Sequence, residues 1–156
     1  MTDLQPLTVL LARNERERDA AITAHQRAQA ASRAARAQAE QLVTYRRDYA
    51  QRWRTQFRQE GAMELVHCYQ SFMDRLTLAV EQQERTADFT EQEVARALAH
   101  LRAAELRCAA VQKLIERRLA EQRLATDRRD QKQTDEAASR AAWTRIGTTR
   151  PAPLGP

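Results

Sequence analysis

Three histidines, His25, His67 and His100, and two cysteines, Cys68 and Cys108, are the side chains here best suited to hold a metal or act as a nucleophile. A structural zinc site takes four such ligands, commonly as two closely spaced pairs. His67 and Cys68 form one adjacent pair, and no second pair exists to complete it. Cys68 and Cys108 are too far apart for a redox CxxC motif, and a disulfide framework is not expected, which suits the cytoplasm. Carboxylates are abundant, but they alternate with arginines as partners along a helix do. The chain has only three glycines, so it lacks a phosphate-binding loop, a dinucleotide fingerprint and a nucleophile elbow. No catalytic residue, metal or cofactor is expected. The chemistry left open is recognition.

One pattern supports recognition directly. Gln38, Leu42, Tyr45 and Tyr49 follow a spacing of four, three and four. Phe72, Leu76, Ala79 and Gln83 repeat that spacing further along the chain. On a helix, such spacing places each set on one face. Whether the two sets share a surface depends on the elements that carry them.

Those elements are helices. Prolines occur only at Pro6, Pro151, Pro153 and Pro156, and Gly61 alone interrupts the run from Leu7 to Ile146. Ala, Gln, Arg and Glu dominate that run and favour helix. Aromatic residues are 5% and charged residues 30%, too polar for a thick globular core but compatible with one apolar seam. A seam alternating three and four runs through Leu4, Leu7, Leu11, Asn14, Arg18, Ala21, His25, Ala28, Ser32, Ala35, Ala39, Leu42, Arg46, Tyr49 and Trp53. A cleaner one runs through Val66, Tyr69, Met73, Leu76, Val80, Gln83, Ala87, Thr90, Val94, Ala97, Leu101, Ala104, Cys108, Val111 and Ile115. Strict alternation predicts a left-handed supercoil rather than a globular bundle. Thr90 and Glu93 spell a capping box, but the heptad phase passes through both, so one continuous helix is expected.

The expected fold is all-α, a long two-helix antiparallel coiled-coil hairpin with a C-terminal helical overhang and a disordered tail. Helix 1 spans about 4–60, the turn lies near Gly61 within Gln59–Ala62, and helix 2 spans about 63–146. Residues 1–146 form one domain, and 147–156 the tail. Pro6 sits in the first turn, with Thr2 or Asp3 available as a cap. Folding the chain at Gly61 makes facing residue numbers sum to about 122. Gln38 then lies beside Gln83 and Tyr49 beside Phe72, so the two stripes adjoin. Tyr45, Phe72 and Ala79 stand one step off the seam. Large aromatics with nothing of their own chain to cover them mark protein interfaces. Leu119 to Ile146 has no intramolecular partner.

The net charge of +5 first suggests nucleic acid or an anionic membrane surface. The charge is spread along the chain, however, with no block of five like charges, so nucleic acid is not expected. No apolar run is long enough to span a membrane, no export signal opens the chain, and direct membrane insertion is not expected.

The stretch LATDRRDQKQTDEAASRAAW (Leu124 to Trp143), the tyrosines of VTYRRDY and the cluster CYQSFMDRLTLAVEQQ resemble the flagellar FliJ family. Asp130 to Glu136 (DQKQTDE) is the most specific part, and the likeness covers nearly the whole chain. The resemblance implies a small cytoplasmic component of the bacterial flagellar type III export apparatus, peripherally associated with the inner membrane. It implies a stalk-like hairpin inserted into the hexameric export ATPase. It also implies binding to the cytoplasmic domain of the membrane export gate and escort of export chaperones for filament-associated proteins. Carried over, the gate-binding patch falls on Gln38, Leu42, Tyr45, Tyr49, Phe72, Leu76, Ala79 and Gln83. The last position is often histidine in the family, so Gln83 loses a titratable group and keeps hydrogen bonding. The ATPase-facing ends fall within Leu4 to Arg18 and the overhang to Arg145, with Leu7, Leu11, Arg128, Arg129, Asp130, Gln131 and Asp135 as candidates. Three alternatives stand beside this reading: the equivalent stalk of a virulence type III secretion system, a basic helical nucleic-acid-binding protein, and a coiled coil that dimerises through its seam.

Overall fold

A computed structural model of the chain describes residues 3–56, 63–149 and 155. Two helices account for the fold: α1, Gln5–Gln56, of 52 residues, and α2, Met63–Thr148, of 86 residues. They pack against each other as a helical hairpin, the all-α architecture expected. The turn expected near Gly61 lies outside the described residues.

The start of α1 follows from its sequence. The Leu4 carbonyl accepts the Thr8 N–H at 3.0 Å, closing the first turn. The Gln5 N–H donates to Asp3 Oδ1 at 3.0 Å, which satisfies one of the donors that every helix start leaves open. Pro6 follows as the second helical residue, where its missing N–H costs nothing. Thr2, the other candidate cap, is outside the described residues.

Helix α2 runs unbroken through Thr90 and Glu93. The Thr90 hydroxyl donates back to the Ala87 carbonyl at 2.7 Å, and Glu93 pairs forward with Arg96 at 2.6 Å. Neither side chain caps a new helix. At its far end α2 continues through Thr148.

The cross-helix contacts fix the direction of the pairing. Trp53 stacks on Tyr69, Tyr49 meets Phe72, Gln38 meets Gln83, and Arg36 meets Asp88 and Glu91. Residue numbers fall on α1 as they rise on α2, so the helices are antiparallel. Every buried residue among those described lies on the seam written from the sequence: Asn14, Ala21, Ala35 and Ala39 on α1, and Leu76, Val80, Ala87, Ala104, Cys108 and Val111 on α2. Five of these ten are alanines. Small seam residues let helix backbones approach closely, but each buries little apolar area.

The chain divides into two compact units. The first is Ala12–Cys108, the hairpin that carries both recognition stripes. The second joins Met1–Leu11 to Ala109–Pro156. Within it, Leu4, Leu7 and Leu11 are half-buried, Val111 is buried and Ile115 half-buried. From Arg123 to Thr149 every residue is exposed.

Candidate interaction surface

The Ala12–Cys108 unit gathers the two stripes into one surface. At its centre the Tyr49 ring lies 4.6 Å from Phe72, tilted by 50°. Tyr45 stacks beside Tyr49 at 6.2 Å, and Tyr69 does so at 6.0 Å. Trp53 closes the row, stacked on Tyr69 at 4.3 Å and 11°. These separations suit offset-stacked and tilted aromatic pairs. Leu76 lies buried beneath, at 8% exposure, while Leu42, Ala79 and Gln83 are half-buried. Tyr45 at 50% and Phe72 at 37% show their rings to solvent, as residues one step off a two-helix seam must.

Gln83 ties the helices together at the other end of the stripe. Its Nε2 donates to the Ala35 carbonyl at 3.3 Å and to Gln38 Oε1 at 3.2 Å. Both amide hydrogens are then used inside the chain. Among the described residues Gln83 Oε1 and the Gln38 amide nitrogen have no partner, which leaves them for others. Gln38, Gln41, Leu42, Tyr45 and Gln83 line an open depression at this point.

Two residues outside the stripes belong to this surface. Tyr69 and Trp53 extend the aromatic row. Both stand on the seam with numbers that sum to the pairing value, so the signal for their contact was present. Arg36 was masked by the expectation of pairs along one helix. It reaches across instead, to Asp88 at 3.2 Å and Glu91 at 2.5 Å. Those hydrogen bonds, Glu91 first and Asp88 second, hold the Arg36 guanidinium above its ordinary pKa. On α1 the hydrogen bond to Asp19 raises Arg18 likewise, and desolvation opposes it.

The candidates at the ends lie in the other unit. Leu7 and Leu11 are half-buried, while Arg128, Arg129, Asp130, Gln131 and Asp135 are exposed. None of these five forms an ion pair among the described residues. Leu124, Asp127, Arg128, Gln131, Lys132 and Asp135 line a shallow depression on the surface of α2. Cys68 is exposed and Cys108 buried, both as free thiols. No group of three His, Cys, Asp or Glu side chains is placed to hold a metal among the described residues. No helix there is long and apolar enough to cross a membrane.

Comparison with known families decides what this hairpin is. The family model described as "Flagellar FliJ protein" matches residues 3–147. The chain belongs to the FliJ family. Membership makes it a flagellar export-related protein of an export-associated rather than an enzymatic family. No curated protein and no solved structure matches the chain.

Proposed function

We propose that this FliJ-family chain is the non-enzymatic stalk of the flagellar type III export apparatus, inserted into the hexameric export ATPase and bound to the membrane export gate. The observation that carries the reading is the aromatic surface of Tyr45, Tyr49 and Phe72, set on the hairpin with two of its rings exposed. Exposed aromatics on a rigid scaffold lose little conformational freedom on docking, which favours them as interface anchors. Gln38, Leu42, Tyr45, Tyr49, Phe72, Leu76, Ala79 and Gln83 form the surface for the cytoplasmic domain of the gate. Leu76 acts from beneath, as the floor that keeps the rings in place.

The ends serve the ATPase. Leu7 and Leu11 on α1 and Arg128, Arg129, Asp130, Gln131 and Asp135 on α2 face the pore of the ring. The exposed charges of the 128–135 stretch have no ion pairs to break among the described residues before meeting a partner, so they set association rate more than affinity. Export chaperones of filament-associated proteins are the third class of partner. The chain works in the cytoplasm, peripherally held at the inner membrane by these contacts, and supplies no chemistry. A pull-down of the purified export ATPase and of the gate domain with the full chain tests the assignment. Retention of both supports it, and retention of neither removes it.

A further inference from the structure

The two flanks of the hairpin seam differ in charge, although 30% of the chain's residues are charged. On one flank Arg36 crosses to Asp88 and Glu91, and Glu40 and Glu84 line the same side. The other flank holds the Gln38–Gln83 hydrogen bond and the Tyr45 ring. There α1 presents Ala31, Ala34, Gln38, Gln41 and Tyr45, spaced three, four, three and four, and all exposed. On α2 the stripe of Phe72 continues past Arg75 to Ala79, Gln82, Thr86 and Phe89, with the same alternation. From Ala31 to Tyr45 and from Ala79 to Phe89 neither stripe carries a charge. Arg27 and Asp48 bound this stretch on α1, and Arg75 and Glu93 bound it on α2.

A flank of this kind has the composition of a seam rather than of a solvated face. Charges are kept from positions that lose water on packing, because an unpaired charge there is costly. The Thr86 hydroxyl donates back to the Gln82 carbonyl at 3.1 Å, so it asks nothing of a partner. Ala31, Ala34 and Ala79 are small enough for another backbone to come close. Tyr45, at 50% exposure, and Phe89, at 56%, rise as large rings at the two ends of the small-residue stretch. The groove between two helices suits a third, which satisfies its own backbone hydrogen bonds, whereas a strand would leave its open edge unpaired here. Ala31 to Tyr45 spans about 21 Å, and two helices side by side are about 20 Å wide, so the flank offers about 400 Å². A stable pair of copies buries about 800 Å² on each side, and a second chain docked on this flank falls short of that. A helix of a larger protein does not, because the aromatic row beyond Tyr45 continues its contact.

We infer that this uncharged flank takes one α-helix of a partner protein, about four turns long, whose contact stripe is apolar or amide-bearing and carries no charge. The helix lies along the groove between α1 and α2, with its larger side chains over Ala31, Ala34 and Ala79 and its smaller ones against Tyr45 and Phe89. Gln83 Oε1 and the Gln38 amide nitrogen, without a partner among the described residues, receive an amide from it. This inference rests on the reading of the surface as the gate-binding site, extends that site past Gln38 and Gln83, and names the element it receives. A charged stripe is rejected whatever its sign, because neither helix offers it a counter-ion on this flank.

Calorimetric titration of the full chain with the purified cytoplasmic domain of the export gate tests it. Ala31→Glu and Ala31→Lys are each expected to weaken binding about tenfold, at about 50 mM and about 500 mM salt alike, because desolvation rather than attraction is at stake. Ala37→Glu, on the outer face of the same helix, is expected to stay within about twofold of the parent. Circular dichroism should show full helicity in all three, since Glu and Lys are good helix formers. Benzoylphenylalanine at Gln41 and at Gln82 is expected to cross-link gate residues three, four or seven apart within one segment. Opposite responses to Ala31→Glu and Ala31→Lys, or normal binding by both, with Phe72→Ala still weak, overturn the uncharged flank and leave the docking surface standing. Cross-links two residues apart, or scattered over several segments, overturn the helix. Normal binding by Phe72→Ala, or none by the parent chain, removes the gate assignment and this inference with it. In sedimentation of the chain alone, a dimer that Ala31→Glu converts to monomer assigns the flank to a second copy and overturns the inference.

Discussion

Phe72 and Leu76 stand one turn apart on the same stripe, yet their alanine variants should fail in different ways. Phe72 is 37% exposed and Leu76 8%. A phenylalanine presents about 200 Å², so about 75 Å² of Phe72 is free to be covered by a partner. At about 25 cal/mol per Å², that area is worth about 2 kcal/mol of binding, or about thirtyfold in Kd. Removing the ring also forfeits its contact with Tyr49, about 1 kcal/mol of hairpin stability. Leu76→Ala inverts the balance: it loses about 2–5 kcal/mol of stability through the buried cavity and little direct contact area. Gate-domain titration paired with thermal melting by circular dichroism separates the two. Phe72→Ala should bind about thirtyfold more weakly with a melt lowered by only about 2–4 °C. Leu76→Ala should melt well below the parent and bind weakly only as its hairpin loosens. Phe72→Ala binding within about twofold of the parent, with helicity intact, would refute the reasoning.

Other perturbations probe the rest of the hairpin. Gln83→Met removes both amide donors from the Ala35 carbonyl and Gln38, and should cost about 1 kcal/mol. Gln83→Glu should cost more at neutral pH, because a carboxylate meets two acceptors; urea titrations of both variants give the order. Arg36→Met should lower the melting temperature slightly in dilute buffer, and the difference should vanish near about 1 M salt. Ala87, fully buried at 0% exposure, marks close packing, so Ala87→Leu should destabilise by about 1–3 kcal/mol in the same titrations. Asn14 is the one buried polar residue among the described ones, and a polar seam position holds register at a cost in stability. Asn14→Leu should raise the melting temperature while producing larger species in analytical ultracentrifugation.

The seam is legible in the sequence because its period is unbroken and almost no glycine or proline competes with it. Asn14 and Cys108 are buried for their position, not their residue type, and the heptad phase places both. The adjacency of Gln38 with Gln83 and of Tyr49 with Phe72 follows from the seam phase, since antiparallel pairing of the two helices turns one number into another. Rotamer choice is not legible. Gln83 turns its amide inward to Ala35, and Arg36 chooses Asp88 and Glu91 over neighbours on its own helix. Both choices depend on the separation of two backbones, which a heptad pattern leaves undetermined. Asp130 to Glu136 carries the family resemblance, although no packing in the hairpin explains its composition.

The chain has two tryptophans, and each compact unit holds one. Trp53 is stacked on Tyr69 beside the aromatic surface, and Trp143 is 74% exposed on the C-terminal part of α2. Their emission should differ without any added dye. Trp53 is shielded and takes up excitation from the neighbouring tyrosine, whereas Trp143 emits as an indole in water. Replacing either one with phenylalanine leaves a single-wavelength reporter on the other. Arrival of a ligand at the hairpin surface and arrival at the C-terminal segment thereby become two separable optical signals, and the order in which this protein meets its partners becomes a stopped-flow measurement.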